Sequence, residues 1–237
     1  MMQSKIGIGF LLAICIASCF AGCILEEGAS AESYLPLLPA SAFTRFAAAL
    51  NTLNITSSEL SIIEPGAFTG LTGLHHLILD DNEIKIIKAD WIVGLTNLKS
   101  LRVWHNHISE IEPAVFNHLP HLEVLDIAYN KIDHCISEDL LGKLDELDII
   151  YLAGNPWPLR CRPPVIFHLE NHHVQVVSDW GDSHILIAEC LAHEPYALYN
   201  DDILDKCYTR LVHNRPYSHH LLVSDPTPTP AIILPQL

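Results

Sequence analysis

The chain has 237 residues, enough for one domain or for one repeat array with its caps. Thirteen Lys and Arg against 28 Asp and Glu leave a net charge of −15. That argues against a nucleic-acid partner, because phosphate binding needs clustered Lys and Arg; what remains is solubility or a basic partner.

From the start, Lys5 is followed by an apolar run from Ile6 to Ile16 and then by the small residues Ala17, Ser18, Ala21 and Gly22. This is the layout of a secretory signal peptide over residues 1–23, too short to span a membrane. Cleavage after Ala21 or Cys23 would leave a small residue at the cut. Phe20-Ala21-Gly22-Cys23 also resembles a bacterial lipoprotein site, with Phe20 off the pattern. No later apolar stretch approaches the roughly 20 residues of a membrane span, so a soluble, extracellular mature protein is expected.

Residues 24–49 read as an N-terminal cap with a degraded half-repeat. Pro39, Phe43 and Phe46 match Pro65, Phe68 and Leu71 with one extra residue between the first two. The array proper covers 50–155. Leu74-x-x-Leu77-x-Leu79-x-x-Asn82-x-Ile84 returns 24 residues later from Leu98 to Ile108, and again from Leu122 to Ile132. A weaker copy begins at Leu50, with Ser58 in place of Asn. Another begins at Leu147 and reaches its Asn, Asn155, one residue late. A fixed period of this length means stacked units, none of which can bury its apolar side alone. Alternation in Leu-x-x-Leu-x-Leu suits a short strand. The Asn that follows can satisfy turning backbone groups otherwise left unpaired. Pro65 and Pro113 start helical or irregular returns, where a missing N–H costs least. Cys135 aligns with Ile63, Ile87 and Ile111 and reads as a small buried thiol.

This pattern is identified as that of the leucine-rich repeat. The resemblance implies an α/β solenoid, a short horseshoe with a parallel sheet on the concave side and helical or irregular segments on the convex side. Residues 156–212 break the period; Pro163-Pro164 and then Val165 to Val177 suggest a helix followed by strand-like segments. Residues 213–237, with Pro216, Pro226, Pro228, Pro230 and Pro235, read as an extended Pro-rich tail.

Asn155-Pro156-Trp157 ahead of spaced Cys resembles the C-terminal cap of extracellular leucine-rich repeat proteins. Cys161, Cys190 and Cys207 fall on the second, third and fourth cysteines of that cap, and Leu159 stands where the first belongs. The resemblance implies a Cys161–Cys207 bond and an odd Cys190 able to reach another chain; Cys161–Cys190 stays open as an alternative. The Leu53-Asn54-Ile55-Thr56-Ser57-Ser58 start without a Cys-rich cap is similar to secreted insect leucine-rich repeat proteins, some linked to immunity.

Parallel stacking places equivalent residues of neighbouring repeats about 4.8 Å apart, so the concave face can be written as rows. One row is Asn54, Ile78, Arg102, Asp126 and Tyr151. Beside it run Thr56, Asp80, Trp104, Ala128 and Ala153, and then Ser57, Asp81, His105, Tyr129 and Gly154. The outermost holds Thr52, His76, Ser100, Val124 and Ile149. Outward aromatics beside Arg are the composition of binding hot spots. The expected ligand contacts are therefore Ile78, Arg102, Trp104, His105, Asp126, Tyr129 and Tyr151, with Arg102 pairing Asp126. Asp81 beside His105 suggests a response to mildly acidic pH. Asn54-Ile55-Thr56 is an N-glycosylation sequon.

His168-x-x-x-His172 has helical ligand spacing but not the His-Glu-x-x-His order of a metalloprotease, and His76, Asp80, Asp81 and His105 could converge. Neither pattern carries a metal site, no cofactor is implied, and no nucleophile stands with its base. The expectation is a secreted, non-enzymatic recognition module for an extracellular protein or glycan-bearing surface, in innate immunity or extracellular signalling by resemblance. The alternative is an assembly role, with Cys190 or the tail joining a partner chain.

Overall fold

A computed structural model describes residues 35–44, 50–181 and 183–214. The expected signal peptide, most of the N-terminal cap and the Pro-rich tail from residue 215 onward lie outside the described residues; residues 213 and 214, expected to open the tail, end a helix instead.

Five three-residue strands repeat with the period of the sequence: β2 (Thr52–Asn54), β4 (His76–Ile78), β6 (Ser100–Arg102), β8 (Val124–Asp126) and β9 (Ile149–Tyr151). They form one parallel sheet, which β10 (Gln175–Val177) extends to six strands in the order β10-β9-β8-β6-β4-β2. The central residue of each strand points inward. Leu53, Leu77, Leu101, Leu125 and Ile150 are all buried in one continuous core. Its other columns are Leu79, Val103, Ile127 and Leu152, and Leu74, Leu98, Leu122 and Leu147. Burial of this repeated column is what each strand, too short to stand alone, gains from its neighbours.

Asn82, Asn106, Asn130 and Asn155 are buried and bind the turns that follow the strands. Asn106 donates from Nδ2 to the Leu79, Val103 and Trp104 carbonyls at 2.9, 3.1 and 3.2 Å, and its Oδ1 accepts from Ile84 N at 3.0 Å. Asn82, Asn130 and Asn155 repeat the arrangement. One side chain thus pairs donors and acceptors of two successive coils.

The return side is made of short pieces. Two-stranded parallel pairs join β1 (Leu37–Leu38) to β3 (Ile62–Ile63) and β5 (Ile86–Ile87) to β7 (Glu110–Ile111). Helical turns follow: α1 (Ala89–Ile92), a 3-10 turn at Pro113–His118 and α2 (Glu138–Leu141). Pro113 opens its turn, as expected. At the N-terminal end Phe43 stacks on Phe68 with centroids 6.2 Å apart, so the degraded half-repeat covers the first coil.

Beyond the array, α3 (Arg162–Asn171) leads into β10, and two further helices follow, α4 (Ser183–His193) and α5 (Asp201–Asn214). The expected helix and strand are present; α4 and α5 carry no repeat and were not foreseen. Trp157 closes the main core: it is buried, donates from Nε1 to the Leu152 carbonyl at 3.0 Å and meets Trp180 edge to face. Ile187, Cys190, Ala197, Leu204 and Cys207 form a separate small core between α4 and α5.

The disulfides differ from the expected ones. Cys135 bonds Cys161, and Cys190 bonds Cys207. The Cys161–Cys207 pairing is therefore corrected, and Cys190 is not odd. The inward thiol at Cys135 is corrected too. Asn155 lies 25 residues after Asn130, against 24 between Asn106 and Asn130. The extra residue moves Ile136 into the core and leaves Cys135 exposed, where it reaches Cys161.

Candidate functional site

The outward residues of the sheet lie in the rows the repeats imply. Asn54 pairs in register with Ile78, Ile78 with Arg102, Arg102 with Asp126, Asp126 with Tyr151, and Tyr151 with Val177. Four of the seven expected contacts, Ile78, Arg102, Asp126 and Tyr151, thus share one row on one face. Ile78, Arg102 and Tyr151 are half-buried, whereas Asp126 is buried.

The chain then turns sharply. Ser57, Asp81, His105, Tyr129 and Gly154 all have positive φ, between 52° and 69°. In this left-handed conformation each is held away from the strand direction, and for non-glycine residues it is uncommon. The same positions donate backbone N–H groups to the next coil: Asp81 to the Trp104 carbonyl at 2.9 Å, His105 to Ala128 at 3.1 Å and Tyr129 to Ala153 at 2.7 Å. Gly154 has no such coil ahead of it, and the Asp179 carboxylate accepts its N–H at 3.1 Å instead.

This turn carries the aromatic group. Trp104 lies 5.1 Å from His105 and 5.8 Å from Tyr129 between ring centroids, the latter edge to face at 69°. Trp104 and Tyr129 are half-buried and His105 is exposed. The three rings form one contiguous cluster, with Tyr151 two strands along from the Trp104 coil.

The charges beside it are ordered by Asp80, a residue not singled out as a contact. Asp80 Oδ1 accepts the Trp104 backbone N–H at 3.0 Å, and Oδ2 accepts from Arg102 Nη2 at 2.6 Å. Arg102 also forms the ion pair with Asp126 that the rows imply, its Nε 3.9 Å from Asp126 Oδ2, a looser contact than a hydrogen bond. Burial raises the Asp80 carboxyl above its ordinary range, against the pull of Arg102. Burial pushes Asp126 up to about 6, helped by the negative charge of Asp80 and opposed by a hydrogen bond from Ala128 N and by Arg102. Asp81 Oδ1 meets His105 Nδ1 at 2.6 Å, as the rows imply, at an exposed position.

Among the described residues no three His, Cys, Asp or Glu side chains are grouped to hold a metal ion. The rings of His168 and His172 lie 4.3 Å apart, tilted by 31°, and His172 Nδ1 is committed to the His168 carbonyl at 2.8 Å. They border a small cleft of about 90 Å³ between α2 and α3. Asn54 is exposed on β2, a strand at one end of the sheet, and its side chain accepts from the Thr56 hydroxyl of the same sequon. No described helix is long and apolar enough to cross a membrane.

A family model described as Leucine rich repeat matches residues 48–108 and again 96–156. No curated protein matches the chain.

Proposed function

We propose that this leucine-rich repeat protein is a secreted recognition module that binds another protein through the outward face of its six-stranded sheet. Leucine-rich repeat domains commonly mediate protein–protein recognition and are typically non-enzymatic. The observation that carries the reading is the cluster of Trp104, His105 and Tyr129 on consecutive coils, beside Arg102 and Tyr151 on the same face. Half-buried aromatics next to Arg lose little conformational freedom on binding and shed water readily. Ile78 adds an apolar contact to the row. A role in innate immunity or extracellular signalling follows from the family resemblance, and a glycan on Asn54 would cover the β2 end and direct contacts toward residues 102–154.

Two measurements test this. Expression with residues 1–23 intact should deliver the protein to the medium with its N-terminus after Ala21 or Cys23; retention inside the cell removes the secreted role. Partners cross-linked to the protein in its native fluid should be lost with Trp104→Ala or Tyr129→Ala while thermal unfolding is little changed. Capture that survives both substitutions moves the binding surface elsewhere.

A further inference from the structure

Resting on the recognition reading above, we propose that the face takes a basic segment of its partner, a stretch of chain presenting Lys or Arg side chains to Trp104, Tyr129 and the neighbouring carboxylates. The rows around the rings hold three carboxylates, Asp80, Asp81 and Asp126, and one guanidinium, Arg102. With His neutral that leaves two uncompensated negative charges. Arg102 is already engaged by Asp80 at 2.6 Å. Asp126 is left with a guanidinium nitrogen at 3.9 Å and one backbone N–H, and Asp81 has only His105.

An incoming ammonium or guanidinium answers both features at once. It meets unspent carboxylate charge, and it is attracted by the electron-rich ring faces of Trp104 and Tyr129. A partner's acidic segment would be repelled and would strip water from Asp81 without return. A neutral one would use the rings and leave the charge unanswered. The chain's net charge of −15 acts in the same direction over longer range, drawing basic partners to the surface.

The experiment is selection of a random peptide display library on the disulfide-bonded protein, with counter-selection on Trp104→Ala. Circular dichroism establishes that this variant is folded, and Asp81→Asn serves as a second variant at a surface position. The expected winners are rich in Lys and Arg. Their binding should fall about tenfold or more with Trp104→Ala, fall severalfold with Asp81→Asn, and weaken as salt rises. Glu83→Gln and Asp133→Asn, exposed positions outside the rows, should leave it unchanged. Trp104-dependent winners that are neutral or acidic would overturn the basic segment and leave the recognition reading standing. No Trp104-dependent winners at all would overturn both. Basic winners that respond equally to Glu83→Gln and Asp81→Asn would show diffuse charge attraction and overturn the site.

Discussion

The ring of Tyr129 lies directly against Gly154, where a Cβ would stand 2.6 Å from Tyr129 Cδ1 and 2.9 Å from Cγ. Gly154 also holds φ at +69°, a conformation that costs a side-chain-bearing residue roughly 1–2 kcal/mol. Gly154→Ala should therefore do two things. It should lower stability by about 1–2 kcal/mol from the backbone alone, and it should turn Tyr129 away from Trp104. Denaturant unfolding reads the first and near-ultraviolet circular dichroism of the Trp104–Tyr129 pair the second. An unchanged aromatic signal would mean that the glycine does not set the ring.

How much of this could be read from the sequence varies along the chain. The 24-residue echo implies parallel strands in register, so the neighbours of Arg102, Ile78 and Asp126, follow from counting alone, and the structure has them so. The buried Asn at each turn follows as well, since turning backbone needs its partners. Counting fails where the period changes by one. The 25-residue spacing to Asn155 hides the shift that puts Ile136 inward and frees Cys135 for Cys161. The α4–α5 lobe has no repeat to count, and a four-cysteine template assigned Cys207 to the wrong partner. Asp80 is legible as a row member, but that it holds Arg102 more closely than Asp126 does depends on side-chain reach, which spacing does not encode.

The carboxyl of Asp126 gives the stability a pH dependence of definite sign. Its folded value of about 6 lies above the ordinary 3.8, so between those values the folded state holds a proton that the unfolded state has released. Stability therefore falls as pH rises from about 4 to 6, and the full cost of the ionised group, at most about 3 kcal/mol, is present above pH 6. His76, lowered by burial, acts oppositely, losing stability as pH falls through the ordinary histidine range. The difference between wild type and Asp126→Asn isolates the first effect. The variant should gain relative stability as pH rises from 4 to 7 in calorimetric melts. Parallel curves for the two proteins would remove Asp126 as the source.

Asn106 is the central rung of the asparagine ladder. Replacing it with Ala strands the Ile84 N–H and up to three carbonyls between two coils. Each buried group left without a partner costs about 1–3 kcal/mol, softened where water can enter. Asn106→Ala should thus destabilise by about 3 kcal/mol or more in urea unfolding. Asn117→Ala, on an exposed return segment, should cost far less. Equal losses at the two positions would contradict the ladder as a source of stability.

The small core between α4 and α5 depends on its disulfide. Only five buried residues make it up, and two of them are Cys190 and Cys207 themselves. A bond closing a loop of 17 residues contributes about 3 kcal/mol in the chain-entropy account, a large share of what so few apolar contacts can supply. The paired change Cys190→Ser with Cys207→Ser should therefore loosen 183–214 and spare the repeats. In hydrogen exchange, amides of α4 and α5 should lose protection while those of Leu77, Leu101 and Leu125 keep theirs. The Cys135–Cys161 bond should remain intact by non-reducing mass analysis, because it joins the last repeat to the Trp157 end of the main core. Loss of protection throughout the sheet would show that the two cores unfold as one.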